Sequence, residues 1–345
     1  MDPYELRRLD FSLGDDLEAV HDSFAGFFAK HCPTSAVRAA EPLGFDQSLW
    51  TALNLLGAAS MALSAEVGGD EAGMVEMTLI AEELGRSLAP VPLLEHVVAA
   101  RLLAATGDEE AKRLAGEAGS GDRILSIALT PLNGPQLVSS AAVAADVVAL
   151  DGDELVVLSA GEARLHVGNQ GGLPSAWCDP AKETRRIIDC FDAPALFARA
   201  QQEWKVLAAA ALAGLTEGAL ALALEFVKTR ETMGVSIATL QGVSFPLADI
   251  AIGIAGARNL ARRAAWFLDH EPATEPALPY AALAYAAKVA THGATAAAHA
   301  QGGLGFTVEA DASLFFLRAK AWALIGGDPQ ADIQKVGDVQ LSAAG

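Results

Sequence analysis

A chain of 345 residues exceeds what one hydrophobic core usually serves, so two or three subdomains are expected. Its formal charge of −19 and isoelectric point near 4.7 exclude nucleic acid or an anionic lipid surface as the main partner, because both would repel it. Any basic site must therefore be local. Three cysteines, Cys32, Cys178 and Cys190, are scattered and without metal-ligand spacing, which reads as reduced thiols of a cytoplasmic protein and no metal site. Met1 to Glu5 is acidic with no apolar core or cleavage site behind it, so no targeting signal is expected.

In chain order, Leu17, Val20, Phe24, Phe27 and Phe28 keep helical spacing up to Pro33. Asp46 is placed to cap a second helix with Trp50, Leu53 and Leu56 inward. After the glycine-rich turn Ser64 to Gly73, helices are predicted from Met74 to about Leu84, from Leu94 to Ala105, and from Asp108 through Leu114. Beyond Gly119 the character changes. Strands are predicted over Ile124 to Leu129, Val143 to Leu150, Glu154 to Ser159, Arg164 to Val167 and Thr184 to Ile188, with Asp151-Gly152 as a hairpin turn.

From Pro194 helices return. Val206 to Val227 is apolar on nearly every face, which marks a helix surrounded by other helices. Lys205, Thr216, Glu217 and Glu225 interrupt or flank it, so no membrane span is expected. Gly234 stops this helix after Lys228 and Arg230, and from Gln241 the pattern resumes at Val243, Leu247, Ile250, Ile254, Ala257 and Ala261. A further helix runs from Pro279 to Ala300, and the last from about Asp311 to Leu324. The expectation is an α+β chain: an N-terminal helical domain over residues 1–122, a mostly antiparallel β-domain over 123–194, and a C-terminal four-helix bundle over 195–345.

Taken alone, the polar residues have plain readings. Arg230 caps its helix, Gly302-Gly303 is a helix-stop turn, and His299 is a packed bundle histidine rather than a base. Asp249 is open between an inter-helix contact and a functional role. In combination they point elsewhere. Arg230-Glu231-Thr232-Met233-Gly234, followed by Gln241 and Leu247-Ala248-Asp249, resembles the signature of the acyl-CoA dehydrogenase family. Gln301-Gly302-Gly303-Leu304-Gly305-Phe306-Thr307-Val308-Glu309 resembles its second signature, and Glu82-Glu83-Leu84-Gly85-Arg86 after Gly68-Gly69 is similar to its N-terminal helix pair. The three stand in the family's order.

The resemblance implies the acyl-CoA dehydrogenase fold, FAD as cofactor, and α,β-desaturation of an acyl-CoA or acyl-carrier thioester. A carboxylate takes the α-proton while hydride leaves the β-carbon for the flavin. It implies that Arg230 grips the FAD diphosphate with its planar guanidinium, reaching a flavin held mainly by an adjacent subunit. Gln241 would help hold the diphosphate or adenosine part, Gly302 and Gly303 would admit close approach of backbone to cofactor, and Thr130 would contact flavin and substrate.

The chain also departs from the family pattern. Where most relatives carry the catalytic glutamate, this sequence has Gly327, with Asp328 adjacent but shorter. Where some carry it instead, near the start of the helix before the arginine signature, the match is Trp204; Glu203 is one residue away, a rotation of about 100°. Glu203 and Asp328 are thus the remaining candidates for the base. Pro131 replaces the glutamate that usually follows Thr130, and a tryptophan-containing strand that would pack on the flavin ring has no clear counterpart. The pattern is similar to the shorter subunits of bacterial acyl-CoA dehydrogenases that assemble as α2β2 heterotetramers, several acting on sterol side chains. The expected function is a flavoprotein subunit of such an enzyme, in a homo- or hetero-oligomer that is a dimer of dimers and shares its site with a second subunit. The alternatives are a non-catalytic structural partner, or a homomeric oxidase, monooxygenase or acyl-carrier-thioester dehydrogenase.

Overall fold

The computed structural model describes residues 5–343; of the acidic N-terminal stretch, Met1 to Tyr4 lie outside them. Helices α1 (Asp15–His31), α2 (Thr34–Ala39), α3 (Gln47–Leu55), α4 (Met74–Arg86), α5 (Leu93–Ala104) and α6 (Glu109–Gly119) come first. Strands β1 (Leu125–Ile127), β2 (Gln136–Val138), β3 (Asp146–Asp151), β4 (Glu154–Ser159), β5 (Ala176–Cys178) and β6 (Thr184–Ile188) follow. Then come α7 (Ala193–Thr229), a small hairpin of β7 (Glu231–Thr232) and β8 (Val235–Ser236), and α8 (Gln241–His270), α9 (Leu278–Ala300), α10 (Asp311–Trp322) and α11 (Pro329–Ala343). The expected helix, strand, helix order is the one found. Contacts divide the chain into two compact units. One holds the residues up to Ser35, Thr78–Ala89 and those from Lys205 onward; the other holds Ala36–Met77 and Pro90–Trp204.

In the second unit, Asp46 caps α3 as expected, its carboxylate accepting from the N–H groups of Ser48 and Leu49, and Asp108 caps α6 through Ala111 N–H. Trp50 and Leu53 are buried, but Leu56 lies past the end of α3 and is exposed. Four strands form one sheet in the order β1-β3-β4-β6, with β1 parallel to β3 and the other pairs antiparallel. The β3–β4 turn is tight, Asp151 facing Glu154, and Gly152 supplies the positive φ (60°) that this turn requires. The inward side chains Val147, Ala149, Val156 and Leu158 make a core that also takes in Val138, Ala176 and Cys178 from the separate β2–β5 pair. The predicted strand over residues 164–167 is not formed beyond a single bridge at His166. Arg164 turns inward instead, where Glu183 meets it in a fork at 3.1 and 2.6 Å and the carbonyls of Ala144 and Leu158 accept its other N–H groups.

In the first unit, α7 is the central helix. It is long and apolar enough to cross a membrane, yet 83% of its most apolar window is buried in the protein, as the all-round apolar pattern predicts for a core helix. Its crossing with α4 is made by glycines. A Cβ on Gly214 would stand 1.8 Å from the Glu82 carbonyl oxygen, and one on Gly85 would stand 1.9 Å from that of Ala211. Around this crossing lies an ionic network. Arg86 bonds Glu83 and Glu217, Arg258 bonds Glu82 and Glu217, and Arg262 bonds Glu82 at 3.3 Å. Burial alone would raise the Glu217 carboxyl, but Arg86 and Arg258 outweigh it and hold it below the usual range. The C-terminal helix α11 has few apolar positions and was not expected; its one buried carboxylate, Asp332, pairs with Lys205 at 2.8 Å.

Candidate functional site

Helix α7 ends at Thr229, and the next residue begins a tight corner. Arg230 N–H donates to the Phe226 carbonyl, its own carbonyl accepts from Ile237 N–H, and the chain reverses through Met233 and Gly234, both at positive φ (50° and 80°). Two consecutive left-handed residues are what a two-residue hairpin loop demands. The last carbonyls of α7 are satisfied by hydroxyls: Ser236 Oγ donates to Val227 O (2.9 Å), and Thr229 Oγ1 lies 3.1 Å from both Glu225 O and Phe226 O. The Arg230 guanidinium therefore does not cap its helix, contrary to the plain reading. It is exposed and has no side-chain partner among the described residues, whereas every other described arginine enters at least one hydrogen bond, ion pair or other interaction.

Gln241 is the first residue of α8 and is exposed, with no side-chain bond among the described residues. At the end of α9 a short turn covers Gly302–Phe306. Gly302 has φ 64°, and a Cβ on either Gly302 or Gly303 would meet nothing within 4 Å, so bare backbone faces open space. Gly305 differs: its Cβ would lie 2.2 Å from Ala298 O, a packing requirement. The turn does stop α9, as its plain reading says, but Thr307 Oγ1 just beyond it is buried with no hydrogen-bond partner. His299 is exposed on α9 rather than packed, and Asp249 is exposed on α8. Thr130, in the other unit, is exposed and donates to Gln136 Oε1 at 2.8 Å.

The carboxylates near the candidate base positions are already engaged. Glu203 is almost wholly buried; Arg101 grips both its oxygens (3.0 and 3.1 Å) and Arg199 adds a third bond at 3.0 Å. Burial works to raise this carboxyl, but the two guanidinium groups prevail and hold it below the usual range. Asp328 is exposed and caps the start of α11, accepting from Gln330 N–H at 2.9 Å. Gly327 is exposed at φ 105°. Trp204 points to a carboxyl that the sequence reading passed over, Glu95, donating Nε1–H to it at 3.3 Å, while Ser140 Oγ donates from 3.3 Å. Burial pushes Glu95 up. Its neighbour His96 is neutral, because burial brings it down to about 4; its Nδ1 accepts from Leu125 N–H, so Nε2 carries the proton and donates to Ala118 O.

Comparison with known proteins places these residues in a lineage. The family model described as acyl-CoA dehydrogenase, N-terminal domain, matches residues 14–115, and that described as acyl-CoA dehydrogenase, C-terminal domain, matches residues 201–340. The chain belongs to the acyl-CoA dehydrogenase family. It is similar to acyl-CoA dehydrogenase IpdE2 of Mycobacterium tuberculosis, 28% identical over 331 residues that cover 93% of this chain and 96% of that protein. Among solved structures it is similar to a chain of the ChsE4-ChsE5 complex from Mycobacterium tuberculosis, with TM-score 0.85, 25% identity, and 95% and 98% of the two chains covered. A chain of the Tcur3481-Tcur3483 steroid ACAD G363A variant gives TM-score 0.85 at 26% identity, covering 96% of this chain and 99% of that one.

For an acyl-CoA dehydrogenase, FAD is the expected cofactor, and the residues present fit parts of it. In the first unit, the uncompensated Arg230, the exposed Gln241 amide, the open Gly302-Gly303 backbone and the orphaned Thr307 hydroxyl suit a diphosphate and its attached ribose and adenine. In the second unit, β5 carries a tryptophan that the sequence reading did not find. Trp177 is 58% exposed and sits across from Leu137, 48% exposed, giving the β2–β5 pair one flat apolar face of the kind that a planar ring covers. The signal was present in the alternation of that three-residue strand, one exposed side chain between two buried ones.

Proposed function

We propose that this chain is one subunit of an FAD-dependent acyl-CoA dehydrogenase that desaturates the α,β-bond of an acyl thioester, and that it shares its site with a second subunit. One observation carries the reading: Arg230 has no partner among the described residues, on a hairpin corner fixed by two left-handed residues. An arginine so held is preorganised for a bidentate anion that the rest of this chain does not supply. Gln241 and the Gly302-Gly303 backbone would help hold the diphosphate, and the chemistry FAD would supply there is that of a hydride acceptor for the β-carbon. Thr130 takes the flavin-side role in the other unit. Similarity to a chain of the ChsE4-ChsE5 complex and to one of a steroid enzyme supports a heteromeric assembly and a sterol-derived or fatty acyl group on the thioester. We read the protein as cytoplasmic.

A second reading is favoured by the state of the carboxylates. Glu203 is held ionised by two arginines and Asp328 caps α11; the family resemblance sets Gly327 and Trp204 at the two positions where relatives carry the base. A carboxylate with its lone pairs taken by guanidinium groups is a poor proton acceptor. In this reading the chain contributes binding residues only, and the partner abstracts the α-proton. Co-expression with a second acyl-CoA dehydrogenase subunit, followed by an absorption spectrum, tests the shared site. Purified alone, the chain is expected to be colourless and the complex yellow; a chain that retains full flavin alone refutes sharing.

A further inference from the structure

Helix α11 lies on α9, yet it lacks the apolar packing that fixes its neighbours. Helix α9 buries Leu283, Ala286, Ala290 and Ala294 among others, and α10 buries Leu314, Phe315 and Trp322. From Pro329 to Ser342, Asp332 alone is buried among the described side chains, and Val336 and Val339 are half-buried. An element with so little apolar contact belongs to the low end of local stability.

What fastens α11 is a charge pair. Asp332 Oδ1 meets Lys205 Nζ of α7 at 2.8 Å, the two side chains being 10% and 12% exposed, and the same ammonium stands 5.6 Å from the centre of the Tyr280 ring on α9. A buried ion pair differs from an apolar contact in one respect. Separation loses the attraction but returns both charges to water, so the closed and open states lie close in free energy. The helix is also built to move in one piece. Asp328 caps it locally, its carboxylate accepting from Gln330 N–H and its carbonyl from Ala331 N–H, both at 2.9 Å. Ahead of that cap stand Gly326 and Gly327, the latter exposed at φ 105°, a pair that can absorb a change of chain direction.

We propose that α11 is a hinged strap, latched by the Lys205–Asp332 pair, that opens about Gly326-Gly327 as a unit while α9 and α10 stay folded. Opening bares the Lys205 ammonium, which Asp332 otherwise occupies. Arg230, Gln241 and Gly302-Gly303 take no part in the latch, so its failure and that of the flavin reading are separable.

Hydrogen exchange of the full-length chain, read by mass spectrometry, tests it. In the wild type the α11 amides are expected to exchange at least about 100-fold faster than those of α9. Asp332→Asn and Lys205→Met each leave one buried charge unpaired, and should speed α11 exchange by a further factor on the order of 30 while α9 changes by less than about 3-fold. Lys205→Met combined with Asp332→Leu removes both charges and should return α11 to the wild-type rate or below it, since an apolar pair of similar volume closes as well as the ion pair. Wild-type α11 exchanging in step with α9 overturns the proposal. So does a single variant that leaves α11 unchanged or speeds α9 equally, or a double variant that is as open as its parents.

Discussion

Arg86, Arg258 and Arg262 lie among Glu82, Glu83 and Glu217, and each guanidinium there meets a carboxylate; Arg230, at the far end of the same long helix from Gly214's crossing, meets none. The first group is interior wiring. Its charges balance one another around the buried carboxylates of Glu82 and Glu83, and the glycines at Gly85 and Gly214 bring the two helices close there. The second is a charge left on a rigid corner with its own helix carbonyls already satisfied by Ser236 and Thr229. Removing a compensated charge harms the fold, whereas removing an uncompensated one harms only what it binds.

The largest expected effect tests the compensated side. Gly214→Leu places side-chain atoms where the Glu82 carbonyl stands, and it should cost at least about 4 kcal/mol or prevent folding, read from denaturant midpoints. Arg101→Met leaves Glu203 buried against a single guanidinium and should cost about 3 kcal/mol. A loss under about 0.5 kcal/mol would mean that these buried ion pairs are no more structural than surface ones, and the contrast would collapse.

His96 sharpens the comparison by pH. Its folded value of about 4 lies below the ordinary 6.5, so the stability it contributes is present above 6.5 and is lost as pH falls toward 4. The loss should amount to about 3 kcal/mol across that window. His96→Gln retains an acceptor for Leu125 N–H and a donor for Ala118 O, and should flatten the dependence; an unchanged acid slope would place the titration elsewhere. The smallest effect belongs to Arg230→Ala, which should move the midpoint of the isolated chain by less than about 0.5 kcal/mol.

What could be read from the sequence follows the reach of each signal. The burial of α7 was legible because its apolar residues occupy every face, a local property. The strand expected at Arg164 failed because Arg164-Leu165-His166-Val167 alternates in the wrong sense. Arg164 is inward, bound to a glutamate nineteen positions away, and Leu165 is 87% exposed. Strands β2 and β5 were missed because three residues carry too little periodicity to declare a partner forty positions on, as Gln136 does opposite Cys178. For the site, Arg230, Gln241 and the glycine turn were legible as an ordered motif. That Arg230 has no internal partner, and that Glu203 has two, depends on residues distant in sequence and emerges only from the fold.

The account rests on Arg230 reaching an anion beyond its own chain, and flavin retention in the co-purified complex measures this directly. Arg230→Ala, compared with wild type by flavin absorbance per complex after gel filtration, should lose flavin at least about 10-fold more readily, with Arg230→Lys intermediate because an ammonium cannot grip two oxygens at once. An Arg230→Ala complex of normal assembly that holds its flavin as tightly as wild type would contradict the assignment.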